Sequence, residues 1–132
     1  MRRRQPPARE TAQRRAIRET FAHAERPLSP PELWKSARRK APTLGLATVY
    51  RAISALVDEG WLQSVFAVGA PPRYEPAGKS HHHHFQCRKC GKIYDVPGCT
   101  GDVRALTPAG FRLEDHEFTL YGRCAACVGG ER

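Results

Sequence analysis

A chain of 132 residues has room for one compact domain or two small ones, and halves of that size need a metal, a cross-link or a partner chain to complete their cores. The net charge of +9 suits a polyanionic partner, and it is uneven: residues 1–60 carry 13 Lys/Arg against 6 Asp/Glu, residues 61–132 only 9 against 7, so nucleic acid belongs with the N-terminal half. No apolar run follows the Arg2–Arg4 start and no later stretch is long enough to span a bilayer, which argues against secreted and membrane classes and sets the expectation of a reducing cytoplasm, where closely paired cysteines are metal ligands rather than disulfides.

Residues 1–10 read as a basic, proline-containing tail. A first helix is expected from about Thr11 to Ala24, with Ile17 and Phe21 on its buried side, ending before Pro27. Ser29-Pro30-Pro31-Glu32 then has the form of a capping box for a second helix, whose buried side carries Leu33, Trp34 and Ala37. Ala41-Pro42-Thr43 breaks it. The third helix, about Leu46 to Glu59, has an apolar stripe of Leu46, Val49, Ile53, Leu56 and Val57, and Gly60 stops it. Trp61–Val68 and Pro72–Pro76 read as two strands joined through Gly69-Ala70-Pro71. Three short helices and a hairpin make a winged helix-turn-helix, in which the helix before the hairpin enters the major groove.

After the polar linker Ala77–Ser80 the composition shifts to histidine and cysteine. His82–Cys87 and Lys92–Val96 read as strands around a Cys-x-x-Cys turn, Gly98–Pro108 offers at most a short helix, and Phe111–Tyr121 reads as one or two strands. Internal repeats are absent from the sequence.

Cys87-x-x-Cys90 and Cys124-x-x-Cys127 are two knuckles separated by 33 residues, enough to complete a closed tetrahedral Zn²⁺ site whose role is structural; four unliganded thiols and a redox dithiol are the weaker readings. His81–His84 stands just before Cys87. On an extended strand His81 and His83 share one face, while His82 and His84 share the other, so a single strand feeds two metal sites. Each pair needs further ligands, for which Glu75, Asp95, Asp102 and His116 are available. An affinity-tag remnant and a solvated histidine patch are the competing readings.

These residues resemble the ferric uptake regulator superfamily. The resemblance runs from about Thr11 to Cys127 and is carried by Gly45–Arg51, by His81–His84 with Cys87-x-x-Cys90-Gly91-Lys92, and by Leu120–Cys127. It implies an α+β chain: a winged-helix DNA-binding domain with its tail (residues 1–76), a hinge (77–80), and a small C-terminal α/β dimerisation domain (81–132). It further implies a repressor that binds operator DNA as a homodimer when metal is loaded. By position, Glu75, His82 and His84 resemble a hinge sensor site, and His81, His83, Asp102 and His116 a second site, while Asp95 falls where the peroxide-sensing branch uses a carboxylate. Two departures stand out: Pro27 occupies the place of the histidine that iron and peroxide sensors supply, and Gln63 that of an aspartate in the zinc-sensing branch. The fourth hinge ligand is thus missing, with Cys99 or the nearby His23 as candidates. The missing histidine tilts the reading slightly toward Zn²⁺ as corepressor, a tilt a Cys99 thiolate would strengthen; Fe²⁺, Mn²⁺ and peroxide sensing are the alternatives within the superfamily, and a zinc-ribbon nucleic-acid module without sensing is the alternative outside it.

For DNA contact, Thr48 and Arg51 lie off the apolar stripe of the third helix, and Arg suits bidentate contact with guanine. Tyr50 lies at the stripe's edge, and the resemblance favours DNA contact for it. Arg14, Arg15 and the Arg2–Arg4 tail are candidates for phosphate or minor-groove contact. A metalloenzyme is not expected, because no His-Glu-x-x-His or comparable open site is present.

Overall fold

The computed structural model describes residues 11–99 and 101–130; the basic tail, including Arg2–Arg4, lies outside them. Helix α1 (Ala12–His23) begins where the Thr11 side chain accepts from the Arg14 N–H, and the chain leaves it through Glu25 at φ 55°, a left-handed conformation that stops the helix. Helix α2 (Pro30–Ala37) has the full capping box: Ser29 Oγ accepts from the Glu32 N–H, and the Glu32 carboxylate accepts from the Ser29 N–H. Helix α3 (Leu46–Asp58) buries only Val49, Ile53 and Leu56, whereas Leu46 and Val57 at the margins of the expected stripe are exposed. Trp34 is likewise half-buried. It donates its indole N–H to the Leu44 carbonyl at 2.8 Å and carries Arg38 over its ring.

The three helices close on Ile17, Phe21, Leu28, Leu33, Val49, Ile53, Leu56 and Leu62. Antiparallel strands β1 (Leu62–Val65) and β2 (Arg73–Pro76) form the wing, pairing Gln63 with Glu75. The wing is shorter than the sequence suggests. It gains a contact that periodicity could not reveal, an isolated bridge in which Leu28 and Tyr74 exchange both backbone hydrogen bonds at 2.9 Å.

The second sheet has the order β4-β3-β5, from β3 (His82–Cys87), β4 (Ile93–Pro97) and β5 (Thr119–Gly122). Strand β3 is central, antiparallel to β4 and parallel to β5. The Phe111–Tyr121 expectation shrinks to this one short strand, preceded by a single 3-10 turn at Val103–Leu106; a short helix α4 (Ala125–Gly129) ends the described chain. Gly122 lies so close to β3 that a Cβ there would stand 3.0 Å from the Phe85 ring.

The wing packs on this sheet through Val65, Ala67 and Ile93. Gln86 bonds both the N–H and the carbonyl of Val68, at 3.1 and 3.0 Å. Arg73, 8% exposed, links three parts of the chain: it reaches Glu32 at the start of α2 (3.3 Å), the Pro71 carbonyl (2.7 Å) and the Gly91 carbonyl in the first cysteine knuckle (2.9 Å). Among the described residues no helix is long and apolar enough to cross a membrane.

Candidate metal centres

Among the described residues three groups of ligand-type side chains meet, each with its ligand atoms within 4.8 Å of one another. The first is Cys87, Cys90, Cys124 and Cys127. Because β3 and β5 run parallel, their C-terminal ends lie side by side, and each end leads into one knuckle. Cys90 Sγ and Cys124 Sγ are 3.8 Å apart. The N–H groups of Cys90 and Cys124 donate to Cys87 Sγ and hold its thiol down to about 5, against the cost of burial. Burial and the neighbouring sulfurs push Cys127 up to about 12. Tyr94 donates its hydroxyl to Cys124. Four thiols so confined cannot all ionise without a shared cation, so the donor chemistry fits a closed Zn²⁺ site.

The second group is Glu75, His82, His84 and Asp95. Glu75 comes from the wing strand β2 and is 1% exposed, yet its carboxyl is held at about 2: burial opposes ionisation, but hydrogen bonds from His84 and Gln63 and the positive charges of His84 and Lys79 outweigh it. Gln63 Nε2 donates to Glu75 Oε1 at 2.9 Å, a consequence of the β1–β2 register. His82 Nδ1 donates to the Ser80 carbonyl at 2.8 Å, which turns Nε2 toward Glu75 Oε1 at 3.1 Å. His84 Nε2 stands 3.3 Å from Glu75 Oε2. Asp95 faces His84 across the β3–β4 ladder, and its Oδ1, 3.5 Å from His84 Nε2, is buried without a hydrogen-bond partner. Lys79 Nζ reaches Asp95 Oδ2 (2.8 Å) and Glu75 Oε2 (3.4 Å), so an ammonium stands where the carboxylates call for positive charge. An orphaned carboxylate oxygen, two imidazoles and a stand-in cation fit a divalent metal.

The third group is His81, His83, Cys99 and His116. His83 is buried and stacked on Phe118, with ring centroids 3.6 Å apart; burial and the neighbouring histidine charges lower its pKa, so the ring is neutral at pH 7. His81 Nε2 lies 3.1 Å from His83 Nε2, and Cys99 Sγ 3.2 Å from His116 Nε2.

These placements revise two expectations. Cys99 is not beside Glu75, because the chain turns at Gly98 (φ 85°) after β4 and carries the thiol to the opposite face of β3. Asp102 is not in the third group; it is exposed and caps the 3-10 turn, accepting from the Arg104 N–H at 3.0 Å. His23 also lies outside the second group, exposed on the last turn of α1, and Asp95 is the fourth member there. The sequence reading missed Lys79 and the orienting role of Gln63. The β1–β2 register could have signalled Gln63, whereas Lys79 lies in the linker outside the strands and no register reaches it.

On α3, Tyr50 and Arg51 are exposed and Thr48 is half-buried, with Arg51 donating to Thr48 Oγ1 at 3.2 Å. Arg15 is exposed. Arg14 instead pairs with Glu59 at the far end of α3, so its guanidinium holds two helices together.

The sequence profile of the ferric uptake regulator family matches residues 7–121. The chain belongs to that family. Its members are metal-responsive transcription regulators, not enzymes. The ferric uptake regulation protein of Campylobacter jejuni is 33% identical over 122 residues, covering 89% of this chain and 78% of its own length. The fold is similar to that of a zinc-bound manganese uptake regulator (TM-score 0.76, 28% identity, 88% of this chain and 90% of the other). It is also similar to the Helicobacter pylori ferric uptake regulator, described as having three functional metal-binding sites (TM-score 0.70, 26% identity, 92% and 83%). Within the ferric uptake regulator family, then, this chain retains the α+β architecture expected from its sequence and brings a cysteine into its third ligand group.

Proposed function

We propose that this chain is a repressor that binds operator DNA as a homodimer when a divalent ion fills the Glu75–His82–His84–Asp95 group. One observation carries the reading: Glu75 belongs to the wing, whereas His82, His84 and Asp95 belong to the C-terminal sheet, so an ion bound there fastens the DNA-reading half to the other. An ion gripping one relative arrangement of the halves favours that arrangement, and DNA that selects it tightens the ion in return. The donors are nitrogen and oxygen only. With Cys99 elsewhere, the tilt toward zinc loses its thiolate, and two imidazoles with two carboxylates suit Fe²⁺ or Mn²⁺ as corepressor. The Cys₄ group holds a structural Zn²⁺.

Tyr50, Arg51 and Thr48 on α3 face the duplex, with Arg15 on the phosphates. Leu106, Phe111 and Leu113 leave apolar surface exposed in the C-terminal half, which a second copy covers. The test is the double variant Glu75→Ala/His82→Ala compared with Arg51→Ala. The first should stay folded and zinc-loaded but lose its metal-dependent DNA affinity, and the second should bind metal normally while binding DNA weakly. Full metal response in the double variant contradicts the proposal.

A further inference from the structure

The ion proposed for the Glu75 group has a substitute within the chain itself. We propose that Lys79 is a tethered clasp: in the ion-free chain its ammonium joins the wing to the C-terminal sheet, so that metal binding exchanges a weaker internal cation for a stronger external one. The exchange rests on the hinge reading above, whereas the clasp does not.

The need for a cation comes from two carboxylates. Glu75 stands on the wing and Asp95 on β4, and they offer oxygens to a set of ligand atoms that all lie within 4.8 Å of one another. Like charges brought that close across a junction push its two sides apart unless a cation stands between them. His82 and His84 reach Glu75 but leave Asp95 Oδ1 without a hydrogen-bond partner, whereas Lys79 Nζ donates to both carboxylates, at 2.8 Å to Asp95 Oδ2 and 3.4 Å to Glu75 Oε2. The linker is shaped to deliver it. The Ala77 N–H donates to the Trp61 carbonyl at 2.9 Å, which ties the linker to the base of the wing, and Gly78 at φ 80° turns the chain so that Lys79 falls back over Glu75. A Cβ at Gly78 would meet nothing within 4 Å, so the turn rather than the space calls for glycine there. The uncharged contacts between wing and sheet lie at the other end of the hairpin, where Gln86 bonds Val68, and Val65 and Ala67 pack with Ile93. At the base, the charge of Lys79 does the joining. An ammonium offsets one of the two negative charges, whereas a divalent ion offsets both from metal–oxygen distances of about 2.1 Å. The clasp is accordingly the weaker of the two.

The test is amide hydrogen exchange over residues 74–84 of the full chain, with zinc retained in the Cys₄ site and exchangeable ions removed, both checked by elemental analysis. Lys79→Met keeps an apolar stem and removes the charge. It should exchange about fivefold or more faster over this segment, while α3 exchanges as in the wild-type chain. Lys79→Met/Asp95→Asn, which also removes one of the like charges, should recover most of the lost protection, a rescue that lost packing of the lysine stem would not allow. The proposal is overturned if Lys79→Met is as protected as the wild-type chain, if α3 loses protection equally, or if the double variant is no better protected than Lys79→Met. Neither metal response nor DNA binding is read, so failure here leaves the hinge proposal standing, and failure of the hinge proposal leaves the clasp.

Discussion

Lys79 bridges Asp95 and Glu75 from the hinge, with its side chain 28% exposed, and any divalent ion entering that group must displace it. Replacing it by Met removes a competitor already tethered in place. Allowing for screening at a partly exposed site, the gain is on the order of 1 kcal/mol, or roughly five- to tenfold in metal affinity. Calorimetric titration with Mn²⁺ checks this: tighter binding by Lys79→Met is expected, and unchanged or weaker binding contradicts it. At this scale the sequence was partly legible. The division of His81 and His83 from His82 and His84 follows from strand alternation alone. The partners did not follow, since Asp95 enters through the β3–β4 register and Cys99 through a turn at Gly98, neither of which is encoded in ligand-type spacing.

Local signals served best where they were self-contained. The Ser29–Glu32 capping box and the two knuckles involve near neighbours in sequence, and the structure forms them; of the expected α3 stripe it buries Val49, Ile53 and Leu56 but leaves Leu46 and Val57 exposed. The parallel pairing of β3 with β5, the Leu28–Tyr74 bridge and the Arg73 strut join distant segments and were not readable. Arg73 matters most among these, because it connects the capping box of α2 to the first knuckle through a nearly buried guanidinium. Among the described residues, Arg73→Ala leaves Glu32 with Arg26 alone as an ion-pair partner and opens the junction of the two halves. A loss on the order of 3 kcal/mol is expected in urea unfolding of the zinc-loaded chain, whereas a change under about 0.5 kcal/mol would assign Arg73 to a solvated surface role.

Across the whole molecule, the work is divided, on the proposed reading, between the Cys₄ and Glu75 groups. The Cys₄ group lies at the end of the C-terminal sheet, and a Zn²⁺ held by all four thiolates there would supply folding energy. The Glu75 group spans the wing and that sheet, so its occupancy can bias how the two halves sit. The basic bias of residues 1–60 fits the proposal that nucleic acid is bound by the half whose orientation the ion would set. The most direct test uses a duplex selected from random DNA by the metal-loaded chain, at fixed salt. Its affinity is measured for protein with the Cys₄ zinc retained, before and after Mn²⁺ or Fe²⁺ is added. Binding should strengthen by about tenfold or more when the ion is present. Equal affinity with and without it would leave a zinc-stapled DNA-binding chain and contradict the regulatory account.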